Sequence, residues 1–130
     1  MWIAHDYRVA RRIKGTAVAI GNFDGVHRGH RELLRLCREG ALAHGVEPVA
    51  LTFEPHPTRM LAPDRASPLI TALDRKLELL AESGLACAVV QVFDRGFSAQ
   101  TPREFAREVL GGLGARAVYV GDNFRFGRDR

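Results

Sequence analysis

The chain has 130 residues, 46% of them hydrophobic and 26% charged, which suits one domain with a packed core and is too short to expect two. No apolar run reaches membrane-spanning length, and Met1-Trp2-Ile3-Ala4-His5-Asp6 lacks the basic-then-apolar order of a secretory signal; no membrane association and a cytoplasmic location are therefore expected. The net charge of +4 suits anionic ligands, phosphates included. A solvated rim is the simpler account of the cluster Arg8, Arg11, Arg12 and Lys14, and no helix carries a basic stripe interleaved with aromatics, so nucleic acid is not an expected partner.

The predicted elements alternate strand and helix. Thr16 to Ile20 reads as a buried strand closed by Gly21. A helix opens near Gly29, runs Leu33, Leu34, Cys37 and Ala41 along one face, and ends around His44-Gly45. Pro48 to Phe53 is a second strand, followed by a proline-rich loop from Glu54 to about Pro68. The next helix spans about Thr71 to Ser83, with Leu73, Leu77, Leu80 and Ala81 as its core stripe and Gly84 as its stop. Ala86 to Phe93 is a third strand. Thr101-Pro102-Arg103-Glu104 supplies a capping box with proline at the first helical position, and Phe105, Val109, Leu110 and Leu113 make that helix amphipathic. Ala117 to Val120 is a fourth strand. Cys37 and Cys87 match no metal-ligand spacing and read as reduced core thiols.

Short apolar strands separated by amphipathic helices predict an α/β fold, a Rossmann-like open parallel sheet flanked by helices. Only ten residues follow the last strand, so the chain is expected to be the front portion of something longer, truncated at its C-terminal end, with apolar sheet surface uncovered after Val120.

In an open parallel sheet, ligands sit beyond the carboxyl ends of the strands. Three motif-rich segments follow strands here: Gly21 to His30, Glu54-Pro55-His56-Pro57, and Gly121 to Gly127. All three should converge on one crevice. Gly21, Gly25 and Gly29 permit tight turns and close backbone approach, and the helix opening near Gly29 points free N–H groups and about half a positive charge at that crevice. His27 and His30 flank Gly29, where imidazole N–H groups can hold phosphate oxygens. Neither Gly-x-Gly-x-x-Gly nor the Gly-Lys-Ser/Thr ending of a P-loop is present.

His-x-Gly-His after a strand resembles the nucleotidyltransferase superfamily that transfers a nucleoside monophosphate from a triphosphate. With its flanks, Gly-Asn-Phe-Asp-Gly-Val-His-Arg-Gly-His, then Thr-Phe-Glu-Pro-His-Pro, then Val-Gly-Asp-Asn-Phe-Arg-Phe-Gly, it resembles the FMN adenylyltransferase module of prokaryotic bifunctional riboflavin kinase/FAD synthetases. The likeness runs through essentially the whole chain, including Leu69-Ile70-Thr71 before a helix containing Lys76. It implies a fold of the nucleotidyltransferase type and adenylyl transfer from ATP to FMN, giving FAD and pyrophosphate, with magnesium. It implies that His27 and His30 bind the ATP phosphates and stabilise the transition state. It also implies that Gly21, Asn22, Phe23 and Gly29 form the ATP-binding turn, and that His56, Pro57, Asn123 and Phe126 lie toward FMN. The family's Ile-Ser-Ser-Thr signature and its riboflavin kinase module do not occur in these residues. Residues 1–130 are thus expected to be an incomplete adenylyltransferase domain whose partner module lies elsewhere in the full-length protein.

Blander readings stand beside these. His27 and His30 could be zinc ligands, but a third ligand at suitable spacing is hard to find and Gly29 between them fits phosphate better. His56 between two prolines is equally readable as a stiff loop residue, and His5 and His44 read as surface residues. Asp24, in a glycine-flanked turn, fits backbone capping better than magnesium. Phe124 and Phe126 alternate, so one should face the core and the other the crevice. The competing functions are another His-x-Gly-His adenylyltransferase with a different acceptor, and a non-catalytic module that holds nucleotide or flavin without turnover.

Overall fold

The computed structural model describes residues 1–12, 15–23, 28–54 and 72–121. Their frame is a five-stranded, all-parallel sheet: β1 (Trp2–Ala4), β2 (Thr16–Ile20), β3 (Glu47–Glu54), β4 (Cys87–Val92) and β5 (Ala115–Val120). The strand order is β1-β4-β3-β2-β5. Helix α1 (Arg28–His44) joins β2 to β3, and α2 (Ala72–Glu82) precedes β4. Between β4 and β5 stand the short α3 (Arg95–Ser98) and α4 (Pro102–Phe105), the latter continuing as a π-helical turn, Ala106–Leu110. This is the open parallel α/β sheet expected from the alternation of elements. No helix among the described residues is long and apolar enough to cross a membrane.

All five residues of β2 are buried, because β2 lies inside the sheet with both faces covered. One face packs Leu34, Cys37 and Ala41 of α1 and Leu80 of α2 over Ala17, Ala19, Ala50 and Ala88. The other packs Phe97, Phe105, Val109 and Leu113 over Val18, Ile20, Val49, Leu51 and Val89. Gly45, Gly84 and Gly114, which follow α1, α2 and the π turn, take positive φ values of 65°, 81° and 63°, as helix-ending glycines do.

The structure revises several local expectations. The stripe of α2 contains Lys76 and Leu79, whereas Ala81 is exposed and Leu73 and Leu77 are half-buried. The capping box forms as predicted: Glu104 N–H donates to Thr101 Oγ1 at 3.1 Å, and Thr101 N–H donates to Glu104 Oε1 at 3.2 Å. The helix it starts then widens into the π turn rather than running on as regular helix. Strand β1 and helix α3 were not anticipated. β1 has three residues, too few for a periodic pattern, and α3 is one turn held by its cap, where Phe97 N–H donates to Asp94 Oδ1 at 2.7 Å. On β5, Val118 and Val120 are exposed.

Candidate functional site

Leaving β1 aside, the sheet order β4-β3-β2-β5 places two successive crossovers to one side of β2 and the strand that follows to the other. The direction of winding reverses between β2 and β5, and a crevice opens beyond the carboxyl ends of strands at such a switch point. Two of the three motif segments begin at these ends, at Gly21 and Gly121, and the third begins at Glu54 on adjacent β3. The strands that deliver the three segments are therefore neighbours.

The turn after β2 is built closely. Gly21 N–H donates to Leu51 O at 3.1 Å, carrying the ladder one residue past the strand. A Cβ at Gly21 would lie 3.2 Å from Phe23 Cζ, so glycine leaves room for the Phe23 ring to fold back. Phe23 has φ +52°, alone among the described non-glycine residues in being positive, a conformation that costs about 1–3 kcal/mol. Its ring is fully buried beneath α1, and that burial offsets the backbone strain. What Phe23 can offer a ligand is its backbone.

Helix α1 opens at Arg28, with Gly29 exposed and His30 half-buried in its first turn. The His30 ring meets the edge of Phe23, centroids 5.4 Å apart and planes at 64°, a favourable aromatic geometry. The strained residue of the turn thus packs against the histidine. The first turn of α1 carries no acidic residue, which favours an anion at its N–H groups. Glu32, one residue beyond Arg31, is paired with Arg35, which also pairs with Glu39; the Arg35 guanidinium holds the exposed Glu32 carboxyl below the usual range.

Beneath this turn lies a polar chain that the hydrophobic pattern did not reveal. Thr52 Oγ1 donates to Asn22 O at 3.1 Å, Lys76 Nζ donates to Thr52 Oγ1 at 3.1 Å, and Nζ lies 3.5 Å from Glu54 Oε1. Asn22 Oδ1 is buried with no hydrogen-bond partner. Lys76 completes an i, i+3, i+4, i+7 series with Leu73, Leu77 and Leu80. A lysine on an otherwise apolar stripe is the signal that could have identified it.

Of the candidate site residues, Gly21, Asn22, Phe23, Gly29 and His30 come together in the turn and the helix start. His27, His56, Pro57, Asn123 and Phe126 lie outside the described residues, as do Asp24 and Phe124. His44 is exposed, with its Nδ1 2.8 Å from Gly40 O. Among the described residues no group of three His, Cys, Asp or Glu side chains could hold a metal ion.

A parallel sheet reversing at β2, with a glycine turn and a histidine-bearing helix start at the reversal, defines an α/β fold of the nucleotidyltransferase type. The FAD synthetase family model matches residues 9–130, and the chain belongs to that family. It is 41% identical over 118 residues to the bifunctional riboflavin kinase/FMN adenylyltransferase of Escherichia coli strain K12, covering 90% of this chain and 38% of that one. It is 42% identical over 126 residues to a Geobacillus thermodenitrificans protein provisionally given the same name, covering 97% of this chain and 68% of that one. The crystal structure of a macrolide-efflux protein from Streptococcus pneumoniae superposes with a TM-score of 0.81 at 22% identity, covering 98% of this chain and 44% of that one; that likeness speaks to the fold. The chain therefore spans well under half the length of the Escherichia coli relative.

Proposed function

We propose that this chain transfers the adenylyl group of ATP to FMN. An oxygen of the FMN phosphate attacks the α-phosphorus of ATP, the new P–O bond forms as the bond to the β-phosphate oxygen breaks, and FAD and pyrophosphate leave. The observation that carries this reading is the His30-bearing start of α1 against the Phe23 turn, at the switch point of a chain in the FAD synthetase family. The attacking oxygen is already ionised at neutral pH, so the site needs positioning and charge stabilisation more than a strong base. In this reading His30 and the helix N-terminus share the phosphate oxygens, His27 adds a second imidazole, and Gly21, Asn22, Phe23 and Gly29 lend backbone to the nucleotide. His56, Pro57, Asn123 and Phe126 are assigned to FMN. Magnesium enters as the counter-ion of the triphosphate, held mainly by its phosphates, and such an ion requires no protein cage. The substrates go with a cytoplasmic location. The names of the relatives pair this activity with riboflavin kinase, and we place a kinase module beside this one in the whole protein.

The test is to incubate the chain with magnesium, ATP and FMN and to follow FAD and pyrophosphate together. Equal amounts of both are expected. Pyrophosphate formed with nicotinate mononucleotide or phosphopantetheine but not with FMN would assign another acceptor, and nucleotide binding without turnover would reduce the chain to a binding module. His30→Ala should lower kcat by about 10²–10³, the usual effect of losing one preorganised donor, and weaken ATP binding far less. His44→Ala, on the same helix, should change neither. A normal kcat with only a raised KM for ATP would make His30 a nucleotide anchor.

A further inference from the structure

Lys76 is the one charged residue among the described residues that is buried, with 4% of its surface exposed. Burying an ammonium is costly unless it is paired and hydrogen-bonded, and a leucine would fit the apolar stripe of α2 at lower cost. The pairing it has is directional. Thr52 carries a single hydroxyl proton and donates it to Asn22 O, so toward Lys76 its oxygen can only accept. The order is therefore fixed, from Lys76 through Thr52 to the carbonyl of Asn22. Thr52 and Glu54 stand two residues apart on β3 and so project to one face, where both meet Nζ. That carbonyl belongs to the peptide plane between Asn22 and Phe23, whose orientation sets the left-handed φ of Phe23.

We propose that Lys76 is a positioning residue for the crevice: through Thr52 it pins the Asn22–Phe23 peptide, and the Phe23 ring in turn holds His30. A charged donor polarises the hydroxyl and strengthens the bond that hydroxyl makes. Lys76 does not touch the reacting atoms in this account. That the turn receives ATP rests on the function proposed above, while the relay itself does not.

Three variants of the full chain separate the possibilities: Thr52→Val, which keeps the shape and removes the hydroxyl, Lys76→Met, which keeps the stem and removes the charge, and Thr52→Ser, which keeps the hydroxyl. The local readouts are the NMR shifts of the His30 ring protons, set in part by the Phe23 ring, and hydrogen exchange at the Gly21 amide, which bonds Leu51 O. Thr52→Val and Lys76→Met should move the His30 signals and speed Gly21 exchange by about tenfold or more. The amide of Leu113, which bonds Val109 O on the opposite face, should keep its protection, and Thr52→Ser should resemble the parent. FAD formation should lose about tenfold or more in kcat/KM in the first two variants, as is common when a support behind a site is removed. Unchanged His30 shifts and Gly21 exchange in Thr52→Val would overturn the proposal. So would a loss of protection equally large at Leu113, which would mark Lys76 as a general stabiliser, or a Thr52→Ser protein that behaves like Thr52→Val. A parent chain that forms no FAD counts against the proposed function, and the NMR readouts still decide the relay.

Discussion

Along β2 the residues alternate Ala17, Val18, Ala19, Ile20, and the same small-then-large order recurs at Ala50-Leu51 and Ala88-Val89. The alanines face α1 and α2, and the larger residues face α3, α4 and the π turn. The 17-residue α1 brings so much backbone to its face that the sheet beneath must be thin. At Gly40 an added Cβ would stand 1.7 Å from Tyr119 Oη. The opposite face is covered by the single turn of α3 and by α4 with its π continuation, and side chains fill the volume there. Phe53, Phe93 and Phe97 gather with centroids 5.9 to 6.4 Å apart, and Phe105 meets Phe97 at 6.2 Å. Close packing is reached by backbone approach on one face and by aromatic bulk on the other.

The strongest test of that contrast is Phe93→Ala, which empties part of the aromatic cluster and should cost about 3–5 kcal/mol of stability, read as a lower urea midpoint at unchanged slope. A loss below about 1 kcal/mol would show that the short helices can collapse into the space. On the other face the damage should come from adding atoms. Gly40→Ala should cost about 1–3 kcal/mol by overpacking. Adding Tyr119→Ala should recover part of that loss, because the neighbour in the way has gone; simple additivity of the two changes would mean that α1 does not press on β5 there.

The smallest effect at neutral pH comes from the two thiols, one under each layer. Burial pushes Cys37 and Cys87 up to about 11 from an ordinary 9.0. The folded state thus holds both protons more tightly than the unfolded chain. Their contribution is complete below about pH 9 and is lost as pH rises through about 11. The urea midpoint should fall across that window, and Cys37→Ala or Cys87→Ala should each flatten the fall by a similar amount. A fall abolished by one substitution and untouched by the other would mean that the two faces exclude water unequally.

These contrasts also explain what the sequence could disclose. Thr16–Ile20 is readable to the residue because a threonine and four consecutive apolar residues closed by glycine have one sensible reading. The faces of α1 follow from period alone. The burial of Lys76 does not follow from periodicity, which registers apolar residues; a buried cation shows only once Thr52 and Glu54 stand opposite it. The role of Phe23 as a strained prop under His30 was equally hidden, since no local pattern announces a phenylalanine with φ +52°. The histidine-and-glycine motif is visible as a local pattern, whereas the polar chain beneath the turn joins strands and a helix from distant parts of the chain.

The position of β1 has a consequence for the order in which the protein can assemble. Among the described residues Trp2, Ile3 and Ala4 pair with Cys87, Ala88 and Val89, and Tyr7 N–H donates to the side chain of Gln91, 84 residues away. At a synthesis rate of about 5–20 residues per second, roughly 4–17 s separate the making of this strand from the making of its partner. During that interval β2 can find β3, but Trp2 and Ile3 have no edge to join. Strand β1 is therefore placed late relative to its synthesis, and β4 must be complete before β1 can take its position beside it.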